Sequence, residues 1–75
     1  MKTTYQTYPA YQYKINNTTF VVWNGSFNSI ADWYISIIYS DFYFSDDELD
    51  GIYRAKKDAL KYITTLINRK EENNI

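Results

Sequence analysis

The chain has 75 residues, carries a formal net charge of −1, and contains neither cysteine nor histidine. This length fits one domain with a small core, and the missing residue types exclude disulfides, cysteine or histidine zinc sites, and histidine-based catalysis. Aromatic residues make up 20% of the sequence, with tyrosine the commonest of them. Such rings pack a short chain and also form the contact area of many protein interfaces. The composition therefore predicts a binding protein without enzymatic activity and without a cofactor.

The first third of the sequence predicts a β-hairpin. Residues 11–15 alternate apolar and polar side chains, as in a half-buried strand, and the dipeptide Asn16-Asn17 follows as a turn signal. Residues 19–23 are rich in β-formers and end at Asn24-Gly25, the dipeptide typical of tight hairpin turns. Pro9 lacks a backbone N–H, so the first strand is expected at an edge of the sheet or to begin just after this residue.

Residues 29–44 fit two secondary structures. Ile30, Trp33, Tyr34, Ile37 and Ile38 follow the spacing of one helix face, whereas alternation from Trp33 onward and many β-branched and aromatic residues favour a strand. We predict a strand from about 33 to 44, preceded by a helical turn over 29–32.

The last third predicts a helix. Its apolar residues recur at helical spacing, at Ala55, Ala59, Leu60, Ile63, Leu66 and Ile67. Ser45 and Glu48 form a capping-box pattern ahead of it, while Gly51 favours a break. The expected fold is α+β: about three antiparallel strands covered by a C-terminal helix, the alternative being a β-hairpin plus two helices. Residues 1–75 are expected to form one small domain in which 71–75 is a disordered tail.

Charge is unevenly distributed along the chain. Residues 32–50 carry six acids and no base, and residues 51–70 carry six bases and one acid. Acids at 46, 48 and 50 with Gly51 match the front half of a calcium loop, but Lys57 replaces the bidentate glutamate that the twelfth position requires. We therefore interpret the acidic stretch as a solvated loop or a helix start, and we predict no metal site.

These features predict a partner-binding surface on the sheet and its hairpin, with the acids as a charged rim. The predicted binding residues are Tyr5, Tyr8, Tyr11, Tyr13, Trp23, Asp46, Asp47, Glu48 and Asp50. The alternative for the rings is a second small core. The expected partner is a host or cognate protein, and an edge strand over residues 5–15 also suggests a homodimer.

A single-stranded nucleic acid is the competing partner. It would stack on the tyrosines and contact Arg54, Lys57 and Lys61, but the slightly acidic composition makes it the weaker hypothesis. The residue usage is typical of AT-rich genes, which favours a phage or mobile-element protein that inhibits or adapts a host protein. No apolar leader or membrane span is recognisable, so the expected compartment is the cytoplasm.

Overall fold

The computed structural model describes residues 1–26 and 32–73, which form one antiparallel sheet and two helices. The strands follow one another in the sheet in chain order. Their bounds, with those of the helices, are β1 (Lys2–Tyr5), β2 (Tyr8–Ile15), β3 (Thr18–Asn24), β4 (Trp33–Ser40), α1 (Asp46–Leu49) and α2 (Lys56–Asn73). The predicted α+β fold is confirmed, with four strands where about three were expected.

Two-residue turns join the first three strands. Asn16 and Asn17 have φ angles of 46° and 65°, and Gln6 and Thr7 have φ angles of 49° and 71°. Positive φ at both central residues is typical of the turn that matches the right-handed twist of a hairpin. The Asn16-Asn17 turn is as predicted. The Gln6-Thr7 turn, and with it β1, was missed because a β-branched threonine rarely adopts positive φ.

Pro9 lies in β2, which is between β1 and β3 and is therefore not an edge strand of the sheet. Hydrogen bonds between Met1 and Gln12 direct the backbone groups of Gln12 toward β1, and by alternation those of Pro9 point toward β3. The pairing of β2 with β3 begins only at Ala10 and Trp23, so the missing N–H leaves no gap in the ladder. β2 pairs with β1 over residues 8–11 and with β3 over residues 10–15, so the edge of the sheet at this end, expected over 5–15, is formed by β1, and residues 13–15 lie beyond the reach of β1.

β4 is a strand, as predicted, and ends at Ser40 rather than at Phe44. Ser40 pairs with Thr18, the first residue of β3, so no partner remains beyond it. Its hydroxyl also accepts a hydrogen bond from the backbone of Phe42 at 3.0 Å, which turns the chain away. The helical turn predicted over 29–32 falls largely outside the described residues.

Gly25 does not occupy the tight turn that the Asn24-Gly25 dipeptide predicts. Its φ is not positive, and its N–H donates to the carbonyl of Asp32 at 3.0 Å. This bond extends the ladder of β3 and β4 by one position beyond the strand bounds.

The core lies between the sheet and α2. Fully buried Phe20 and Val22 of β3 pack with Ile35 of β4 against the predicted helical stripe, of which Ala59, Ile63, Leu66 and Ile67 are buried. Because side chains alternate along a strand, only one face of the sheet faces α2. We call this the inner face. α2 continues to Asn73, three residues into the stretch expected to form a tail.

A short helix precedes α2 and is separate from it. Ser45 caps α1, accepting from the N–H of Glu48 at 3.3 Å, while the Glu48 carboxylate accepts from the N–H of Ser45 at 2.9 Å. This is the predicted capping box. The helical conformation ends at Leu49, and Asp50 and Gly51 are not helical. The chain then forms a β-bridge between Tyr53 and Trp33, at the edge of β4 that faces away from β3.

Candidate functional site

Within residues 1–26 and 32–73, four aromatic rings gather on the sheet face that points away from α2, which we call the outer face. The ring centroid of Trp23 lies 5.1 Å from Tyr5, 5.5 Å from Tyr8 and 4.8 Å from Tyr34. All four residues are half-buried. We call Tyr5, Tyr8, Trp23 and Tyr34 the ring cluster.

Strand register brings the ring cluster together. Tyr5 pairs with Tyr8 across the first hairpin, and Trp23 pairs with Tyr34. The indole N–H of Trp23 donates to the Ser36 hydroxyl at 2.9 Å, which fixes the ring over β4. Tyr34 was not among the predicted site residues, although its alternation with Trp33 was visible in the sequence.

Gly25 provides the space that two of these rings occupy. A Cβ at this position would lie 2.6 Å from a ring carbon of Tyr34 and 2.9 Å from one of Trp23. No side chain fits at such distances unless the rings move. Gly25 is therefore required for close packing within the ring cluster.

Tyr11 and Tyr13 lie on the inner face, away from the ring cluster. Tyr13 stacks on Phe20 with centroids 5.6 Å apart, and Tyr11 lies 6.4 Å from Trp33. The ammonium of Lys56 lies 3.7 Å from the centroid of Tyr11. Tyr11 and Tyr13 are half-buried as well, so the structure divides the predicted tyrosines between two faces.

The predicted acids of α1 are not equivalent. Asp46, Asp47 and Asp50 are exposed. Glu48 instead forms a salt bridge with Lys70 at 3.1 Å, in addition to its bonds with Ser45. The hydrogen bond from the backbone of Ser45, reinforced by Lys70, lowers the pKa of Glu48 below its ordinary value of 4.5. Glu48 therefore secures α1 to α2, while the three aspartates remain available at the surface.

A cavity of about 520 Å³ joins the ring cluster to the acidic helix. It lies beside the outer edge of β4, and its walls are formed by Tyr5, Ile35, Ser36, Ile37, Asp46, Leu49 and Asp50. Its volume is within the range of sites that bind small molecules or peptide side chains. Of the predicted site residues, the cavity thus brings Tyr5 together with Asp46 and Asp50.

Most basic residues belong to the helical layer of the molecule, whereas Lys2 lies in β1 and Lys14 in β2, where alternation puts the exposed Lys14 on the outer face. Lys56 is engaged with Tyr11, and Lys70 with Glu48. Lys57, Lys61 and Arg69 are exposed on α2, which packs on the inner face. Within residues 1–26 and 32–73, no three acidic side chains come together in a group that could hold a metal ion.

Two tyrosines outside the ring cluster have altered acidity. The hydrogen bond that Tyr39 donates to Asp41 at 2.7 Å raises the pKa of the Tyr39 phenol. Burial, followed by the neighbouring Tyr62, raises the pKa of Tyr53. Both phenols therefore remain protonated, and neither is suited to act as a base near neutral pH.

Comparisons with protein-family models, with curated proteins and with solved structures find no match for this chain. No helix in the described part of the chain has the length and apolar character needed to cross a membrane.

Proposed function

We propose that this chain is a non-enzymatic protein-binding module whose partner contacts the outer face of the sheet. The observation that carries this proposal is the ring cluster, together with the exposed carboxylates of Asp46 and Asp50, which line the same cavity as Tyr5. Tyrosine and tryptophan bury much area at low cost in side-chain entropy, which is why they dominate the energetic centres of interfaces. The exposed acids form a charged rim that steers association and selects partners.

The wider biological setting is part of the same proposal. A small cytoplasmic protein of a phage or mobile element, acting as an inhibitor or adaptor of a host protein, fits the AT-rich residue usage and the single small domain. Such a protein acts by occupying a surface, so it needs none of the catalytic residue types that this sequence lacks.

A single-stranded nucleic acid is less well supported as the partner. Rings on an open sheet surface can stack on bases, but the phosphates must then meet Lys or Arg beside those rings. Here the exposed bases Lys57 and Lys61 belong to α2, on the opposite side of the sheet from the ring cluster. Asp46 and Asp50, which share a cavity with Tyr5, would repel a phosphate backbone there.

Capture from a bacterial lysate tests the proposal, with the tagged chain as bait. Tyr8→Ala on the outer face is compared with Tyr11→Ala in the same strand on the inner face, and with Lys61→Ala on α2. We expect Tyr8→Ala to abolish capture of a protein that the two control variants retain. If Tyr8→Ala lowers the melting temperature and leaves capture intact, the ring cluster is a structural core and the proposal is wrong.

Fluorescence anisotropy with labelled single-stranded oligonucleotides tests the competing function. Low salt maximises electrostatic binding, and affinity for a nucleic acid falls steeply as salt rises. We expect no binding at low salt. Tight, salt-sensitive binding that Tyr8→Ala weakens would favour the nucleic-acid function instead.

A further inference from the structure

The edge of β4 that faces away from β3 has backbone groups without a backbone partner among residues 1–26 and 32–73. The N–H and C=O of Trp33 bond to Tyr53 at 2.8 Å and 2.9 Å, so they point away from β3. Because backbone direction alternates along a strand, the groups of Ile35 and Ile37 point the same way. Among the described residues, neither finds a backbone partner on that side. Free edge groups of this kind are the template for adding a further strand.

The cavity lies where those groups point. Ile35 is only 5% exposed, which leaves its backbone little room for a partner. Ile37 is half-buried and lines the cavity. Ile37 is therefore the position where an incoming chain could form the pair of hydrogen bonds that Tyr53 forms with Trp33.

The walls of this cavity favour a positive charge. Asp46, Asp50 and Tyr5 are all among its lining residues. In the described part of the chain, neither aspartate forms a salt bridge, and no base lines the cavity. Carboxylates and an aromatic face attract a guanidinium or an ammonium group, and the chain itself places Lys56 over Tyr11 in this manner.

We propose that the cavity and the adjoining backbone of Ile37 form a groove that binds an extended segment of the partner protein, and that this segment carries an arginine or lysine. One residue of the segment pairs its backbone with Ile37, and the cationic side chain lies between Tyr5 and the carboxylates of Asp46 and Asp50. This inference rests on the proposed function and specifies the partner as one with an extended basic segment. Strand addition supplies affinity through the backbone, and the charged cavity supplies selectivity.

A peptide titration followed by NMR of the ¹⁵N-labelled chain tests the inference. The probe is the capped pentapeptide Thr-Val-Arg-Val-Thr, and the matched control replaces its arginine by glutamate. At low salt we expect saturable shifts of the amides of residues 35–38 and 46–50 with the arginine peptide only. N-methylation of its valines should abolish binding, because it blocks backbone pairing.

Substitutions in the chain separate the contribution of the charged side chains to peptide binding from that of backbone pairing at the edge of β4. Asp46→Asn combined with Asp50→Asn should lower the affinity of the chain for the arginine peptide about fivefold, as expected for the loss of two partly exposed ion pairs. Asp47→Asn, in the same helix but outside the cavity, should change little. Equal binding of the arginine and glutamate peptides, or shifts confined to β1 or α2, would overturn the inference.

Two further outcomes are informative. If the same amides shift when the chain alone is concentrated, the groove binds a second copy and the inference is wrong. If the peptide fails to bind while Tyr8→Ala still abolishes capture of a lysate protein, the groove is refuted and the proposed function stands.

Discussion

At the scale of single residues, the first hairpin depends on a threonine in an unfavourable conformation. Thr7 has a φ angle of 71°, a region in which the Cβ of an L-residue is crowded. A β-branched residue adopts it only where surrounding structure imposes it. Pairing of Tyr5 with Tyr8, both in contact with Trp23, is the stabilising structure here.

Replacing this threonine by glycine should therefore stabilise the protein. We expect Thr7→Gly to raise the free energy of unfolding by about 1 kcal/mol, the cost of a left-handed L-residue. Urea denaturation measures the change. Asn17→Gly is the matched control and should gain less, because asparagine tolerates positive φ. A destabilised Thr7→Gly protein would contradict the turn geometry.

Glu48 makes the stability of the fold fall at acidic pH. Its pKa in the folded chain is below the ordinary value of 4.5, so the folded state binds its proton less readily than the unfolded state does. The resulting stabilisation is complete above the ordinary pKa and is lost as the pH falls through the folded value.

Glu48→Gln should remove this dependence. We expect a smaller fall in melting temperature between about pH 7 and about pH 3, the range in which carboxylates titrate. Asp47→Asn, at an exposed position of the same helix, should leave the fall as it is in the parent chain. An unchanged acid sensitivity of Glu48→Gln would show that its bonds with Ser45 and Lys70 do not stabilise the fold.

At the scale of elements, the two faces of the sheet are packed in different ways. The inner face is sealed by α2, whose residues Ile63 and Ile67 are fully buried. On the outer face, each of the four strands contributes one ring to the cluster around Trp23. The ring cluster therefore ties β1 to β4 without any helix.

A methyl group at Gly25 tests the packing of the ring cluster. Since the Cβ would overlap the rings of Tyr34 and Trp23, Gly25→Ala should cost about 1–3 kcal/mol in stability, as for an overpacked core. It should also change the tryptophan fluorescence, because Trp23 moves. Denaturation followed by fluorescence measures both. A neutral substitution would mean that the rings are loosely packed.

Two isoleucines provide a matched test of the core. Ile67 in α2 is fully buried, whereas Ile38 in β4 is 54% exposed. Ile67→Ala should cost about 2–5 kcal/mol, and Ile38→Ala should change stability by about 0.5 kcal/mol or less. Comparable losses from both substitutions would contradict the assignment of the inner face as the core.

Some elements were predictable from sequence and others were not, for physical reasons. The stripe of α2 and the Ser45–Glu48 capping box follow local periodicity and hydrogen-bonding rules, which tertiary packing does not alter here. β1 was missed since Gln6-Thr7 has no turn signal. The C-terminal end of β4 is at Ser40 because its partner Thr18 is the first residue of β3. The local sequence around residue 40 contains no information on that pairing.

The candidate site was only partly predictable. The sequence placed Tyr8, Tyr11 and Tyr13 in one group, although their parity within β2 already separates Tyr8 from the other two. The juxtaposition of Tyr5 with Asp46 and Asp50 in one cavity could not be foreseen, because it requires the chain after β4 to return along the edge of the sheet.

At the scale of the whole molecule, the two layers have different character. The sheet presents the ring cluster on its outer face, with the acids of α1 at its β4 edge, and α2 presents exposed bases on the other side. The extents of 43 × 19 × 19 Å describe an elongated molecule. These two sides can therefore meet different neighbours, and we assign the partner protein to the outer face of the sheet.

Site-specific photocrosslinking tests this assignment most directly. A benzophenone amino acid replaces Gln12, whose alternation in β2 puts it on the outer face, or Lys61, which is exposed on α2. After irradiation in a bacterial lysate, we expect one discrete protein adduct from position 12 and none from position 61. An adduct from position 61 alone, or adducts with nucleic acid in place of protein, would contradict this assignment.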